Sequence, residues 1–461
     1  FDPAKQIAII NPRINQEAEN FTNHGGLYTF FTDEVFISQY PCIEYVVKKM
    51  RENNPVPRFS LALTRGGNMY GMKIDSNGFR VLLDSIKPDF VQDDHHGFQS
   101  YLQKLPATIT LSDNKVPQVW IASSNSEYNQ ALQYHTLGCK TDAQVNNSAG
   151  SLLSELVSVK SNVSSHLPSA KFIMQPQIHG WLWYKYDEGK YTGGSREPTN
   201  EEIQVQAMLS IAHGADGLCW FIYNSRIDSN YTTHQPGFYT IGMLDPVDGY
   251  SNRDSNCYGQ DKWTYVSQMN AKINSWLPVL ENANWDDGFS VHQEGANYYY
   301  INDIKSKAPL IQGANSECLN EGLYEYYDCP EHKYWELGFF TPKDASDIAK
   351  YFVAVNRRCV PETETVPGDV RALKIKFDSP VSGNWVISDV NTGQEIVFDA
   401  GNPGPGGYLN LGEDSTDIGY FKPGEGKLFR LVPITYNGGT LVADETLSGN
   451  INCNGKIYNN G

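Results

Sequence analysis

Residues 171–224 decide the fold of this chain, and they read KFIMQPQIHGWLWYKYDEGKYTGGSREPTNEEIQVQAMLSIAHGADGLCWFIYN. The stretch begins with one short apolar run, at residues 172–178, and ends with another, at residues 217–223. Each run is bounded by turn residues and is rich in aromatic or branched side chains, which is typical of β-strands. The stretch therefore predicts two strands with a long connection between them.

A helix is predicted within that connection. After Pro198 and Thr199, the sequence EEIQVQAMLSIAHGA has apolar side chains at helical spacing. Thr199 and Glu202 have the spacing of a capping box, and Gly214 is expected to end the helix. Strand, helix and strand make one βαβ crossover, which requires a parallel sheet.

The predicted loop between the first strand and this helix, residues 179–196, is unusually rich in aromatic and polar side chains. In parallel α/β folds, ligands bind at the carboxyl ends of the strands. Two glutamines alternate along the first strand, Gln175 and Gln177, which is unlike a purely structural barrel strand. We therefore predict a ligand-binding surface that comprises Gln177, His179, Trp181, Trp183, Tyr184 and Tyr223.

The order of these features resembles the last two units of a clan A glycoside hydrolase, whose catalytic domain is a (β/α)₈ barrel. The matching features are a strand that ends in Gln-Pro-Gln, an aromatic loop, R-x-P-T-x-E-E from Arg196, and H-G-A-x-G from His213. The resemblance implies an α/β fold of the TIM-barrel type, two catalytic carboxyl groups and a carbohydrate ligand.

A second motif of the same hydrolases lies near the beginning of the chain. The aromatic strand GLYTFFT, at residues 26–32, leads into Asp33 and Glu34, and a helix and the strand RFSLALTRG follow. The resemblance implies that Glu34 is the general acid/base, with Asp33 beside it in the site. A structural interpretation stays open, because Asp33 could cap the helix and Glu34 could favour the helix dipole.

Four titratable residues follow the predicted strand DFVQ: Asp93, Asp94, His95 and His96. Neighbouring carboxyl and imidazole groups shift each other's pKa values apart, which is how acid and base roles arise. The sequence indicates Asp93 or Asp94 as the second catalytic carboxylate and His95 as a substrate-binding residue. A solvated turn and a metal site remain alternatives, although adjacent histidines point to opposite faces of an extended chain.

Further segments complete the parallel part of the chain. A strand within QVWIASSNSEYNQAL ends near Glu127, which is a further candidate substrate-binding carboxylate. Amphipathic helices are predicted at residues 148–168 and 263–283, and Trp263 is expected on the apolar face of the second one.

The periodicity changes near Trp285, where short alternating segments separated by Gly, Pro, Asn and Asp begin. This pattern predicts an all-β antiparallel sandwich. We therefore expect a TIM-barrel-like domain at residues 1–283 and a sandwich domain at residues 284–433. Residues 434–461 are expected to be a linker or the start of a removed C-terminal β-rich tail that could anchor the protein at the cell surface.

The strand count does not fit a complete barrel. If Glu34 ends the fourth barrel strand, residues 1–25 are too few for three βα units, and the barrel is incomplete. The alternative counts QIAIIN and YTIGML, at residues 239–244, as barrel strands. We favour the first count, because no helix fits between QIAIIN and GLYTFFT. In that count the seventh strand, which carries the clan's nucleophile, ends without a carboxylate.

Composition narrows the classes of function. The 461 residues carry a formal net charge of −17, which argues against nucleic acid as a partner. Aromatic residues make up 12% of the chain, which fits a carbohydrate-handling surface. The chain has no run of 18 apolar residues that would predict a transmembrane segment. It begins at Phe1 without Met or a signal peptide, so we expect a processed or trimmed product. We expect the protein to be secreted or located at the cell surface.

Cysteine usage bears on stability and on metal binding. The eight Cys include no CxxC pair, so we expect no structural metal, and we expect no cofactor. Cys318 and Cys329 flank a ten-residue polar segment and are predicted to form a disulfide. Cys219, within GLCWFIY, is predicted to be a buried free thiol.

Two classes of function remain open from the sequence. One is a secreted glycoside hydrolase that acts on a poly- or oligosaccharide with paired carboxyl groups. The other is a non-catalytic carbohydrate-binding or structural surface protein on a glycosidase-like scaffold, since a fold alone does not choose between them.

Overall fold

The computed structural model describes residues 28–32, 40–53, 59–65, 80, 83–84, 86–95, 152–185, 190–195, 198–221, 223, 226–227, 237–243, 261–291, 311–318, 335–357, 370–377, 383–412 and 415–434. The chain forms two compact units. Unit 1 comprises Phe1–Gly97, Gly150–Gln177 and Ala215–Phe221. Unit 2 comprises Phe98–Ala149, Ile178–Gly214 and Ile222–Gly461.

Unit 1 contains a parallel sheet whose described strands follow one another in chain order. They are β1 (Tyr28–Thr32), β2 (Phe59–Arg65), β3 (Phe90–His95), β4 (Lys171–Pro176) and, after two strands of unit 2, β7 (Gly217–Leu218). A parallel bridge between Gln177 and Phe221 extends the pairing of β4 with β7. The predicted parallel pairing of these two strands is thus confirmed.

Two helices of unit 1 have the expected positions, α1 (Tyr40–Asn53) and α2 (Leu152–His166). Arg51 near the end of α1 donates hydrogen bonds to the carbonyl oxygens of Ile86 (3.2 Å) and Lys87 (2.6 Å), just before β3. α2 contacts β3 and β4. It buries an apolar face at helical spacing, which consists of Leu152, Leu156, Val159 and Val163.

Asp216 links the amino ends of β4 and β7. Its carboxylate accepts hydrogen bonds from the Lys171 ammonium (2.8 Å) and the Phe172 backbone N–H (3.0 Å), and Lys160 of α2 lies 3.9 Å away. Burial lowers the pKa of Lys160, and the charge of Asp216 opposes this effect. The two strands therefore have a fixed register below the edge at which they end.

The described residues show no closed barrel, because β1 and β7 are the outer strands of the described sheet. The alternative strand count is wrong, since β9 (Gly237–Ile241), which contains most of YTIGML, lies in an antiparallel sheet of unit 2. The coarse expectation of a parallel α/β part and antiparallel sheets is confirmed.

Residues 180–185 and 190–195 form strands, so the prediction of a loop across residues 179–196 is wrong. β5 (Gly180–Lys185) pairs antiparallel with β6 (Lys190–Ser195) and with β9, and β8 (Arg226–Ile227) pairs with β9. The aromatic residues of WLWYK are typical of β-strands, because large rings pack well on a pleated surface.

The predicted capping box begins the helix α3 (Asn200–Ala212). Thr199 Oγ1 accepts a hydrogen bond from the Glu202 backbone N–H (3.2 Å), and the Thr199 backbone N–H donates to Glu202 Oε2 (2.8 Å). The helix ends just before Gly214, whose φ of 76° is left-handed. An amphipathic helix was expected, but nearly every residue of α3 is buried. A helix with this burial belongs to an interior.

The C-terminal part of unit 2 is an antiparallel sandwich. One sheet has the order β10-β12-β13-β19-β15-β16, and the other has the order β11-β14-β17, with β18 also paired to β14. The bounds are β10 (Ala283–Val291), β11 (Ile311–Cys318), β12 (Trp335–Pro342), β13 (Lys350–Asn356), β14 (Arg371–Phe377), β15 (Asn384–Asp389), β16 (Glu395–Asp399), β17 (Tyr408–Asn410), β18 (Tyr420–Phe421) and β19 (Gly426–Pro433). A single apolar core contains residues of both sheets, among them Trp335, Phe352, Leu373, Ile375, Phe421 and Phe429.

The helix α3 packs directly on the six-stranded sheet, next to β12, β13 and β19. Glycines make this approach possible, because a Cβ at Gly338 would overlap the backbone of Ala212, and one at Gly426 would meet Met208 at 2.7 Å. Helix α4 (Lys262–Leu280) also joins the sandwich, through Lys272 and Glu425 (2.8 Å). The predicted domain boundaries at 283 and 433 stay predictions.

Candidate active site

The carboxyl ends of β3 and β4 meet at one edge of the parallel sheet. The register aligns Asp93 with Met174, Asp94 with Gln175 and His95 with Pro176. One residue further, Gln177 bridges to Phe221 beyond β7. The predicted site residues of unit 1 that the structure describes are therefore neighbours along one sheet edge, which is where ligands bind in parallel α/β folds.

Strand alternation separates the residues at this edge into two sets. Val91, Asp93, Phe172 and Met174 occupy one set of alternate positions, and all four are buried. The other set contains Gln92, Gln175 and Gln177, which are buried amides, and the register position of Asp94 belongs to it. One set is thus dominated by apolar side chains, whereas the other carries hydrogen-bonding groups.

This division distinguishes the two candidate aspartates. Asp93 is 1% exposed and shares its set with the apolar residues Val91, Phe172 and Met174. The register position of Asp94 is level with Gln175, in the set that contains the amides. The sequence alone left the choice between them open, because it did not supply the register.

The remaining predicted carboxylates, Asp33, Glu34 and Glu127, lie outside the described residues, and their roles stay predictions. Glu34 is the second residue after β1, which ends at Thr32. β2 lies between β1 and β3, so the two strand axes are about 10 Å apart at the usual strand spacing.

The aromatic residues of the predicted binding surface belong to unit 2. Trp181 and Trp183 are alternate residues of β5, and Tyr184 belongs to the opposite set. The partners of Trp181 and Trp183 on β6 are small residues, Ser195 and Gly193. Both tryptophans therefore lie at alternate positions of an antiparallel strand rather than in an irregular loop.

His179 is 2% exposed, and the residue before it contacts a buried lysine. Lys262, at the first turn of α4, donates a hydrogen bond from Nζ to the carbonyl oxygen of Ile178 (2.9 Å). The sequence analysis missed Lys262, because a lysine at the start of an amphipathic helix is usually exposed.

Tyr223 is 47% exposed, as a ligand-binding ring would be. Its ring centroid lies 5.5 Å from that of Trp263, with an interplanar angle of 61°. Trp263 was expected on the apolar face of its helix, but it is only partly buried. The amphipathic pattern did not indicate this partial exposure, because Trp263 shares a helical face with the buried Val266.

Two cysteine predictions have different outcomes. Cys219 is exposed, so the prediction of a buried thiol is wrong; β7 ends at Leu218, and Cys219 already follows the strand. Cys318 ends β11, but Cys329 lies outside the described residues, so the proposed disulfide stays a prediction.

No protein-family model and no curated protein matches the chain. Solved structures with a local likeness include the β-galactosidase from the psychrophilic Marinomonas ef1, with 10% identity over 53% of this chain and a TM-score of 0.30. The spore cortex-lytic enzyme SleL of Bacillus cereus has 11% identity over 57% and a TM-score of 0.22. AbfB, a family 51 α-L-arabinofuranosidase from Bifidobacterium longum, has 8% identity over 86% and a TM-score of 0.32.

This chain spans 28%, 48% and 63% of those three chains. All three TM-scores are below 0.5, and the fold of this chain is defined by the strands and helices given above. Within the described residues, no helix combines the length and the apolar character that a membrane crossing requires.

Proposed function

We propose that the chain is a secreted glycoside hydrolase that cleaves a poly- or oligosaccharide with two carboxyl groups at the carboxyl edge of the parallel sheet. The observation that carries the proposal is the register of β3 and β4, which places Asp94 level with Gln175 and next to the set that contains Gln92 and Gln177. A carboxylate among amides is suited to a ligand that presents many hydroxyls.

In this proposal Glu34 is the general acid. It donates its proton to the glycosidic oxygen as the bond to the sugar breaks, which requires a carboxyl group whose pKa is raised by its surroundings. The aromatic sequence YTFFT of β1, directly before Asp33, supports such surroundings.

Asp94 is the proposed partner of Glu34, as nucleophile or as the base that activates water. Carboxyl groups about 5 to 5.5 Å apart give retention of the anomeric configuration, and groups roughly 6.5 to 9.5 Å apart give inversion. A strand lies between β1 and β3, so the side chains must close part of a gap of about 10 Å. NMR of the first-formed product anomer reports which spacing applies.

Gln175 and Gln177 are proposed to orient the sugar by hydrogen bonds. His95 stays a predicted substrate contact at the end of β3, although its register position belongs to the set of Asp93. Trp181 and Trp183 of unit 2 are proposed to stack on sugar rings, with His179, Tyr184 and Tyr223 as further binding residues of that unit. Aromatic faces and amide groups together suit the alternating apolar and polar surfaces of a pyranose.

A second candidate is a non-catalytic carbohydrate-binding protein. It is favoured by one specific observation, namely that β4 presents Gln175 and Gln177 at its carboxyl end and no carboxylate. If β4 is the seventh strand of a hydrolase-like scaffold, the usual nucleophile is absent there. The binding of glycans would then survive without turnover.

The experiment is a screen of soluble polysaccharides and oligosaccharides with two readouts. Release of reducing ends measures hydrolysis, and retardation in polysaccharide-containing gels measures binding. Hydrolysis that Glu34→Gln and Asp94→Asn abolish, with binding retained, is the expected result. Binding without hydrolysis in the unmodified protein would favour the second candidate, and neither binding nor hydrolysis across the panel would contradict both.

A further inference from the structure

We propose that Tyr223 and Trp263 form an aromatic corner that binds the ring of a neutral sugar, and that Trp263 is therefore a glycan-contacting residue of unit 2. This inference rests on the proposed function, because it names a further part of its carbohydrate-binding surface. The carrying observation is an exposed tyrosine ring that packs edge to face on a partly buried tryptophan.

The Tyr223 ring is fixed although it is exposed. Its ring centroid lies 5.5 Å from that of Trp263 at an interplanar angle of 61°, which is a favourable edge-to-face arrangement. The backbone is also held, since the Met243 N–H donates a hydrogen bond to the Tyr223 carbonyl oxygen (2.9 Å). A ligand that meets this ring therefore does not have to order it, and less affinity is lost on binding.

The first turn of α4, which contains Trp263, is also fixed in position. Asp261 caps the helix by accepting a hydrogen bond from the Thr264 backbone N–H (2.9 Å). The neighbouring Lys262 is buried and anchored to the Ile178 carbonyl oxygen (2.9 Å). Trp263 thus belongs to a capped and anchored helix start and contacts an exposed ring.

Exposure supports a ligand at this corner. Among the described residues, the exposed large hydrophobic side chains are Tyr223, Leu277, Ile348 and Val397, so Tyr223 is the one aromatic ring in that set. Two rings at a steep angle offer one face and one edge, which fits a pyranose with an apolar face and a hydroxyl rim.

Charge selects the kind of sugar. The chain carries a formal net charge of −17, and Asp261, two residues before Trp263, is exposed. Anionic polysaccharides such as uronans would meet repulsion here, whereas a neutral pyranose would not. The ligand class is therefore a neutral glycan.

The test measures the affinity of Tyr223→Ala, Trp263→Ala and Trp263→Phe for three neutral probes: a mixed-linkage β-glucan, a galactomannan and dextran. Affinity gel electrophoresis gives the dissociation constants. Tyr408→Ala is the matched control, because Tyr408 is a partly exposed ring of β17 in the sandwich. Thermal melting of each variant shows that it is folded.

We expect both alanine variants to weaken the binding of at least one probe by about tenfold, which is the size of a typical aromatic hot-spot contact. Trp263→Phe should retain part of the affinity, and Tyr408→Ala should retain all of it. If the folded alanine variants bind the probes as tightly as the parent protein, Tyr223 and Trp263 do not contact the glycan, and the proposed function is unaffected. A parent protein that binds and cleaves no glycan would overturn both.

Discussion

His213 Nε2 lies 2.8 Å from Oε2 of Glu336, and both side chains are buried. The second oxygen of Glu336, Oε1, lies 3.0 Å from Nη1 of Arg357. His213 is the C-terminal cap residue of α3, Glu336 lies on β12, and Arg357 follows β13. This buried group therefore joins the C-terminal end of α3 to the six-stranded sheet of the sandwich.

Removal of the Glu336 charge should strongly destabilise unit 2. Glu336→Gln leaves the Arg357 guanidinium buried without its carboxylate, and breaking a buried pair in this way costs about 3 to 5 kcal/mol. Chemical denaturation measures the loss in the free energy of unfolding. Glu395→Gln on the exposed edge strand β16 is the control and should change it by less than about 0.5 kcal/mol. Equal, small effects would show that the buried group does not hold α3 on the sheet.

The contact between α3 and β12 should not tolerate a methyl group. In Gly338→Ala the new Cβ would overlap backbone atoms of Ala212, which cannot move as a flexible side chain can. We expect a loss of about 1 to 3 kcal/mol or more in the free energy of unfolding. Gly383→Ala provides the comparison, because its Cβ would meet no atom within 4 Å and only its φ of 87° opposes the substitution. That strain costs roughly 1 to 2 kcal/mol. A smaller effect at Gly338 than at Gly383 would contradict the close packing of α3.

Glu425 should make the stability of unit 2 depend on acidic pH. Burial raises the pKa of Glu425. The ammonium groups of Lys272 and Lys427 and hydrogen bonds from Lys272 and Lys422 lower it by more, so the pKa of Glu425 lies below its ordinary value. The folded state therefore binds this proton less readily than the unfolded state. The resulting stabilisation is present above the ordinary pKa of 4.5 and is lost as the pH falls through the lower folded value.

The measurement is the melting temperature of the parent protein and of Glu425→Gln between pH 7 and pH 3. The advantage of the parent should be largest near neutral pH and should shrink in the acidic range. Glu395→Gln is again the control, since Glu395 is exposed. An advantage that stays constant down to pH 3 would contradict the role of the Lys272 pair.

The sequence predicted those parts of the fold that depend on local chemistry. The capping box of Thr199 and Glu202, the left-handed Gly214 and the parallel pairing around residues 172–223 all follow from short-range patterns. The antiparallel strands after Trp285 were also predictable, because their apolar and polar residues alternate.

Features that depend on tertiary contacts were not predictable in the same way. WLWYK was assigned to a loop, although it pairs with the nearby β6 and with β9, which lies more than fifty residues away in sequence. The full burial of α3 arises from the sheet of the sandwich, and its polar residues find partners within the helix. Gln206, for example, donates a hydrogen bond to the Glu202 carbonyl oxygen (3.1 Å). In the candidate site, the strand register was needed to distinguish Asp94 from Asp93.

The most direct measurement of the central claim compares initial rates of glycan hydrolysis for Asp94→Asn and Asp93→Asn, with Glu34→Gln as the reference for loss of the acid. If Asp94 works with Glu34 on the amide-lined side of the sheet edge, Asp94→Asn and Glu34→Gln should each lose about 10²-fold or more in rate while glycan binding persists. Asp93→Asn should retain most of its rate per folded molecule and should instead lower the melting temperature. Full turnover in Asp94→Asn, with turnover abolished in a well-folded Asp93→Asn, would contradict the account.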